Sequence, residues 1–112
     1  MALMPMEFDD AAAGGLTVTA TSNANYDLWS WTVLHSGDLY IISMDVEVKS
    51  PSTSWVEIGS INKNSLTDTR TGLPSVYDTT KGVSVRVLNN KIYAAHGGVT
   101  GNCRGQISFI AR

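Results

Sequence analysis

The chain has 112 residues, 43% hydrophobic and only 16% charged, with a net charge of −2 and a single cysteine. That length holds one domain around one core. The slightly acidic balance argues against nucleic acid as a partner, and Cys103 alone excludes an intrachain disulfide or a cysteine-based metal set. With so few charges, the solvent face must be covered largely by Ser, Thr, Asn and Gly, a surface that suits extracellular or virion proteins.

The opening Met1–Asp10 lacks both the basic start and the unbroken apolar run of a signal peptide, and no stretch approaches membrane-spanning length. The expectation is a soluble protein made in the cytoplasm, without membrane insertion. Ala11-Ala12-Ala13-Gly14-Gly15 reads as a flexible joint, so residues 1–15 form a flexible or partner-docking segment and residues 16–112 the folded body.

From Leu16 the apolar and polar residues alternate. Leu16, Val18 and Ala20 face one way and Thr17, Thr19 and Thr21 the other, the pattern of a half-buried strand. Ser22-Asn23-Ala24-Asn25 is a turn. The strand from Tyr26 to His35 puts Trp29, Trp31 and Val33 on one face and Leu28, Ser30, Thr32 and Leu34 on the other. Both faces are partly apolar, as expected inside a sandwich or at a subunit contact.

Ser36-Gly37-Asp38 turns the chain into the longest strand, Leu39–Lys49, with Tyr40, Ile42, Met44, Val46 and Val48 on its apolar face. Pro51 ends it, because proline cannot donate to a central ladder. The next strand is Trp55–Ile61, with Val56 and Ile58 opposite Trp55, Glu57 and Ile61, and Gly59 marking a bulge or a close approach. Residues 62–74 are polar and turn-rich and read as the longest loop.

The sharpest signal follows. Asn89-Asn90 separates two alternating runs, Val83–Leu88 and Lys91–Ala95, and a two-residue linker that tolerates positive φ makes a tight hairpin. Gly97–Gly101 reads as a flexible connection and Gln106–Ala111 as the last strand. No segment carries a capped helical stripe. The fold expected is all-β, an antiparallel β-sandwich, jelly-roll-like, with about seven or eight strands.

Chemistry is sparse. Asp45 and Glu47 share a strand face and would suit acid–base work on a glycoside, but Lys49 beside them marks a solvated outer face, and one strand supplies too few oxygens for calcium. His35 and His96 have no metal-spaced or nucleophile-spaced partner. Gly97–Gly101 lacks the lysine and helix of a phosphate loop. No catalytic residue, metal ligand or cofactor is assigned, and Cys103 is read as structural.

Binding is better supported. Trp29, Trp31, Trp55, Tyr40, Tyr77 and Tyr93 are many large rings for a small domain, and sugars stack on such rings while polar neighbours bond their hydroxyls. Tyr77, Asp78, Arg86, Tyr93 and His96 are the candidate ligand-binding residues. Trp29, Trp31 and Val33 are assigned to packing at a subunit interface, with ring stacking as the alternative.

Trp55-Val56-Glu57-Ile58-Gly59-Ser60-Ile61, Arg70–Pro74, Val83–Val87, the turn into Lys91-Ile92-Tyr93 and the closing Gly105–Ile110 together resemble the C-terminal β domain of bacteriophage tail-fibre and baseplate receptor-binding proteins. In that family a tryptophan-led strand, a loop with Arg and Pro, a hairpin with Asn or Gly at its tip and a final aromatic strand recur in this order. Here Arg70 and Pro74 are separated where the family has them adjacent, and an asparagine pair stands where a glycine is common. The resemblance implies a virion protein with a non-enzymatic β-sandwich head, a homotrimer, that recognises a host cell-surface glycan or protein.

Two placements stay open: the head domain of a longer fibre, or a small virion protein attached to other virion proteins through residues 1–15. The alternative function is a structural one, a capsid-decorating or tail-assembly module binding only other virion proteins. A hydroxyl-rich apical pocket with aromatics favours the first function, and a flat apolar patch of Trp29, Trp31 and Val33 the second. Trimerisation has its own basis: a small disulfide-free domain gains burial by self-association, and three weak sugar sites then act by avidity.

Overall fold

A computed structural model describes residues 14–98 and 100–112. Eight strands form two antiparallel sheets, with no helix among the described residues: β1 (Val18–Ala20), β2 (Tyr26–Ser36), β3 (Leu39–Val48), β4 (Ser52–Ile61), β5 (Thr69–Pro74), β6 (Gly82–Leu88), β7 (Lys91–His96) and β8 (Gly101–Ile110). The larger sheet runs β1-β4-β7-β6-β5 and the smaller β2-β3-β8. Their inner faces close on one core, so the chain is a β-sandwich, as its alternation predicts. Nearly all of the N-terminal segment assigned to residues 1–15 lies outside the described residues; Leu16 is already in the core.

Period two does most of this work. Ile42, Met44, Val46 and Val48 from β3 meet Val83, Val85 and Val87 from β6 and Ile92 and Ala94 from β7, all buried. The asparagine pair joins β6 to β7 with Leu88 paired to Lys91. Asn89 alone of the two takes a left-handed backbone, at φ 52°. Asn23 organises the first turn: its Oδ1 accepts the Asn25 and Tyr26 amides at 2.9 and 2.7 Å while its Nδ2 donates to the Thr21 carbonyl.

Bulges correct two of the sequence assignments. In β2, Leu28 pairs with Val46 but Ser30 with Asp45, so Trp29 is an extra residue. An inserted residue switches the phase of alternation. Leu28 and Val33, expected on opposite faces, therefore both reach the core, and Trp29 is turned away from the Trp31–Val33 set. In β4, Glu57 pairs with Tyr93 and Gly59 with Ile92, so a second bulge lets Ile58 and Ile61 be buried together. Gly59 is also a close approach: a Cβ there would fall 2.9 Å from the Thr19 carbonyl oxygen.

The loop expected over residues 62–74 is not one. Its second half is β5, an edge strand paired with β6 from Thr69↔Val87 to Pro74↔Gly82. Its inward positions are Thr69, Thr71 and Leu73, so only one carries a strong apolar signal, and Pro74 is tolerated because it ends an edge strand. The last strand likewise begins at Gly101, five residues before the expected start, because Cys103 is its only apolar inward residue before Ile107. Burial of Cys103 pushes its thiol pKa up, as for an inert structural cysteine.

Isolated bridges Ser65↔Ala111 and Ser75↔Cys103 tie the segments flanking β5 to the β8 side of the smaller sheet. One flank of the sandwich is thereby stitched shut. On the other flank β2 remains a long edge strand, carrying Trp29 and Trp31 at 50% and 36% exposure.

Candidate ligand-binding surface

Register builds one outward row across four strands of the larger sheet: Arg70 on β5 pairs with Arg86 on β6, Arg86 with Tyr93 on β7, and Tyr93 with Glu57 on β4. The row beneath it, Thr71, Val85, Ala94 and Val56, has the opposite parity and points to the core. Alternation thus lines up two guanidiniums, a phenol and a carboxylate on the solvent side.

Asp68, just ahead of β5, knits this row together. Arg86 donates from Nε and Nη2 to Asp68 Oδ1 and Oδ2 at 2.8 and 2.9 Å, and Arg70 donates from Nη2 to Oδ2 at 3.0 Å. Hydrogen bonds from Arg86, then Arg70, hold the Asp68 carboxyl well below the usual carboxylate range, and the same pairing raises Arg86. Both guanidiniums lie against the Trp55 ring, Arg86 at 5.5 Å and Arg70 at 5.6 Å from its centroid. A ring so flanked is fixed in place by cation–π attraction. Ala95 faces outward between these groups yet is fully covered and stands outside the core cluster. Trp55, whose neighbour Val56 pairs with Ala94, is placed to cover it.

Glu57 closes the row. It accepts the Thr21 hydroxyl at 3.1 Å and lies 3.5 Å from Lys91 Nζ. Charges along the row are therefore largely matched, and the exposed product is a rigid platform of rings, guanidinium edges and hydroxyls.

Beyond Trp55 the platform meets a cleft at the loop end of the sandwich. His96 sits edge-on to Trp55, ring centroids 6.5 Å apart. It also forms one wall of an open cleft of about 480 Å³ whose other groups include Ser52, Thr53, Thr80 and Lys81. His96 has φ 65°, a left-handed conformation uncommon outside glycine but more frequent in Asn, Asp and His. Its carbonyl is pinned by the buried Tyr26 hydroxyl, which donates to it at 2.6 Å and accepts the Ser52 amide at 2.8 Å. One phenol thereby sets two walls of the cleft.

Of the five residues expected to bind ligand, Arg86 and Tyr93 are direct cross-strand partners, and His96 joins them through Trp55. Tyr77 and Asp78 do not reach the platform. They lie in the β5–β6 loop, where Tyr77 is 76% exposed and its ring packs over Gly101. Asp78 is spent locally: the Thr80 amide and hydroxyl donate to its Oδ1 at 3.1 and 2.6 Å, which lowers its pKa and fixes Thr80 at the cleft. Of the three interface residues, Trp29 and Trp31 are exposed, whereas Val33 is a core residue at 8% exposure. The flat patch of all three does not form, because the Trp29 bulge separates them.

Sequence reading missed Asp68, Arg70, Trp55 as the central ring, Lys81 and the Ser52–Thr53 wall. Trp55 stood among the large rings expected to carry binding, though not as their centre; Arg70, two residues from Asp68 and opposite Arg86, becomes visible only once β5 is recognised as a strand. Asp45, weighed as one of a carboxylate pair, accepts Arg104 Nε at 2.6 Å on the outer face of the smaller sheet. No protein-family profile, curated protein or solved structure matches the chain.

Proposed function

We propose that this protein is a non-enzymatic recognition domain that binds saccharide, serving as the receptor-binding head of a bacteriophage tail fibre. The observation that carries the binding reading is the unbroken surface from the Arg70–Arg86–Tyr93–Glu57 row through Trp55 to the His96 cleft. Saccharide sites combine aromatic faces with fixed donors and acceptors, and each component is present and held rigidly here.

A binding role is further supported by how the charged groups are used. Asp68 is clamped by two arginines, Asp78 by Thr80, and Glu57 by Thr21 and Lys91. These contacts fix geometry. The phage assignment rests on the order of β motifs from Trp55 to Ile110 and on the low-charge, hydroxyl-rich exterior. A homotrimer fits the exposed Trp29 and Trp31 on the free edge of β2.

Glycan-array binding by the wild type and a Tyr93→Ala variant tests the proposal. The expected result is a saccharide signal that falls at least tenfold in the variant, since loss of one stacked ring in a small site removes a large share of its contacts. A wild type with no saccharide signal would overturn it and favour the structural virion role, whose support is a second exposed apolar group, the cross-strand pair Leu39–Ile110.

A further inference from the structure

The chain has eight basic side chains. Among the described residues seven are engaged. Arg70 and Arg86 hold Asp68, Lys91 meets Glu57, Arg104 holds Asp45 and Arg112 holds Asp38. Lys49 donates to the Asn23 carbonyl at 2.8 Å, and Lys63 lies over the Tyr40 ring. The Lys81 side chain alone has no ion pair, hydrogen bond or ring partner among the described residues, and Lys81 lines the cleft.

Its stem is nonetheless placed. A Cβ added at Gly98 would lie 3.1–3.2 Å from Lys81 Cγ, Cβ and Cδ, so the methylenes pack on a residue whose lack of a side chain makes room for them. The ammonium is thus carried to the cleft by a supported arm. The cleft it lines is also lined by His96, Ser52, Thr53, Thr80 and residues 97 and 98; the Ser52 and Thr80 hydroxyls donate to the Ser54 carbonyl and to Asp78, and among the described residues no carboxylate lines the cleft. The nearest acid, Asp78, is near enough to feel Lys81 but gives its Oδ1 to Thr80.

We infer that Lys81 and the cleft around it take the anionic group of an acidic saccharide, the neutral part of which lies on the Trp55–Arg86–Tyr93 platform. This rests on the saccharide-binding reading and adds the ligand's charge to it. An unpaired ammonium in a cleft whose described lining holds no carboxylate is matched by a carboxylate or a phosphate, and a charge-assisted hydrogen bond there is about twice as strong as a neutral one.

Isothermal titration of the full chain with tetragalacturonate, its carboxyl-reduced neutral form and a glycerol phosphate oligomer tests this, with Lys81→Gln and Lys81→Arg alongside. Gln keeps the Cβ, Cγ and Cδ atoms that pack on Gly98, so the fold is retained while the charge is lost. The expected result is at least tenfold tighter binding of one anionic ligand than of the neutral one, abolished by Lys81→Gln and largely kept by Lys81→Arg. Preference for tetragalacturonate assigns the carboxylate, and preference for the glycerol phosphate oligomer assigns the phosphate. Equal binding of charged and neutral sugars, or equal losses on both in Lys81→Gln, would overturn the inference while leaving saccharide binding in place. Binding of none of the three, together with a blank glycan array, would overturn both.

Discussion

The hydroxyl of Tyr26, on the smaller sheet, donates to the carbonyl of His96, on the larger, at 2.6 Å. The same oxygen accepts the Ser52 amide, so one buried side chain joins β2, β4 and the end of β7. Tyr26→Phe removes the partner of a part-buried carbonyl and amide and is expected to cost about 1 kcal/mol. Because it also frees His96 and Ser52, affinity for any ligand of the cleft falls with it. Urea denaturation and calorimetric titration of the variant read the two effects separately. Loss of stability without loss of affinity would show that His96 is held by its own strand.

Asp68 makes stability depend on pH in a stated direction. Its carboxyl is depressed in the folded protein by hydrogen bonds from Arg86 and Arg70. A depressed folded value means that the folded state holds its proton less tightly than the unfolded chain does. The stabilisation is therefore complete above the ordinary aspartate value of about 4, and it is lost as pH falls below that. Asp68→Asn should be less stable than the wild type at neutral pH, with the gap closing toward pH 2. Urea midpoints measured across that range check this, and parallel curves for the two proteins would contradict it.

Asn89 carries the hairpin in a left-handed conformation at φ 52°. Asn89→Gly is expected to be neutral within a few tenths of a kcal/mol, whereas the β-branched Asn89→Val should cost about 1–2 kcal/mol. Asn90 lies outside that region, so Asn90→Val should cost distinctly less. Thermal melts of the three variants give the order directly.

Self-association is the last expectation. The free β2 edge exposes Trp29 and Trp31, while Leu39 and Ile110 form a separate apolar pair on the outer face of the smaller sheet. If the edge holds a trimer together, the wild type sediments as a trimer at micromolar concentration, the double variant Trp29→Ser with Trp31→Ser as a monomer, and Ile110→Ser still as a trimer. A wild-type monomer would remove the trimer from the proposal, and a monomeric Ile110→Ser would move the contact to the other face.

Alternation along the chain was enough to determine an all-β sandwich, the positions of most strands and the Asn89-Asn90 hairpin, because period-two burial and positive-φ turns are local properties of a few adjacent residues. Three things were decided only in the folded state. The bulges at Trp29 and Ile58 depend on the pairing of one strand against another; Gly59 signals the one in β4, but no pattern within β2 announces its extra residue. Strand β5 exists because β6 offers it an edge, its own inward threonines giving little signal. The platform and cleft unite Ser52, Trp55, Asp68, Lys81, Arg86 and His96, which are far apart in sequence and become neighbours only when cross-strand register and loop convergence bring them to one surface.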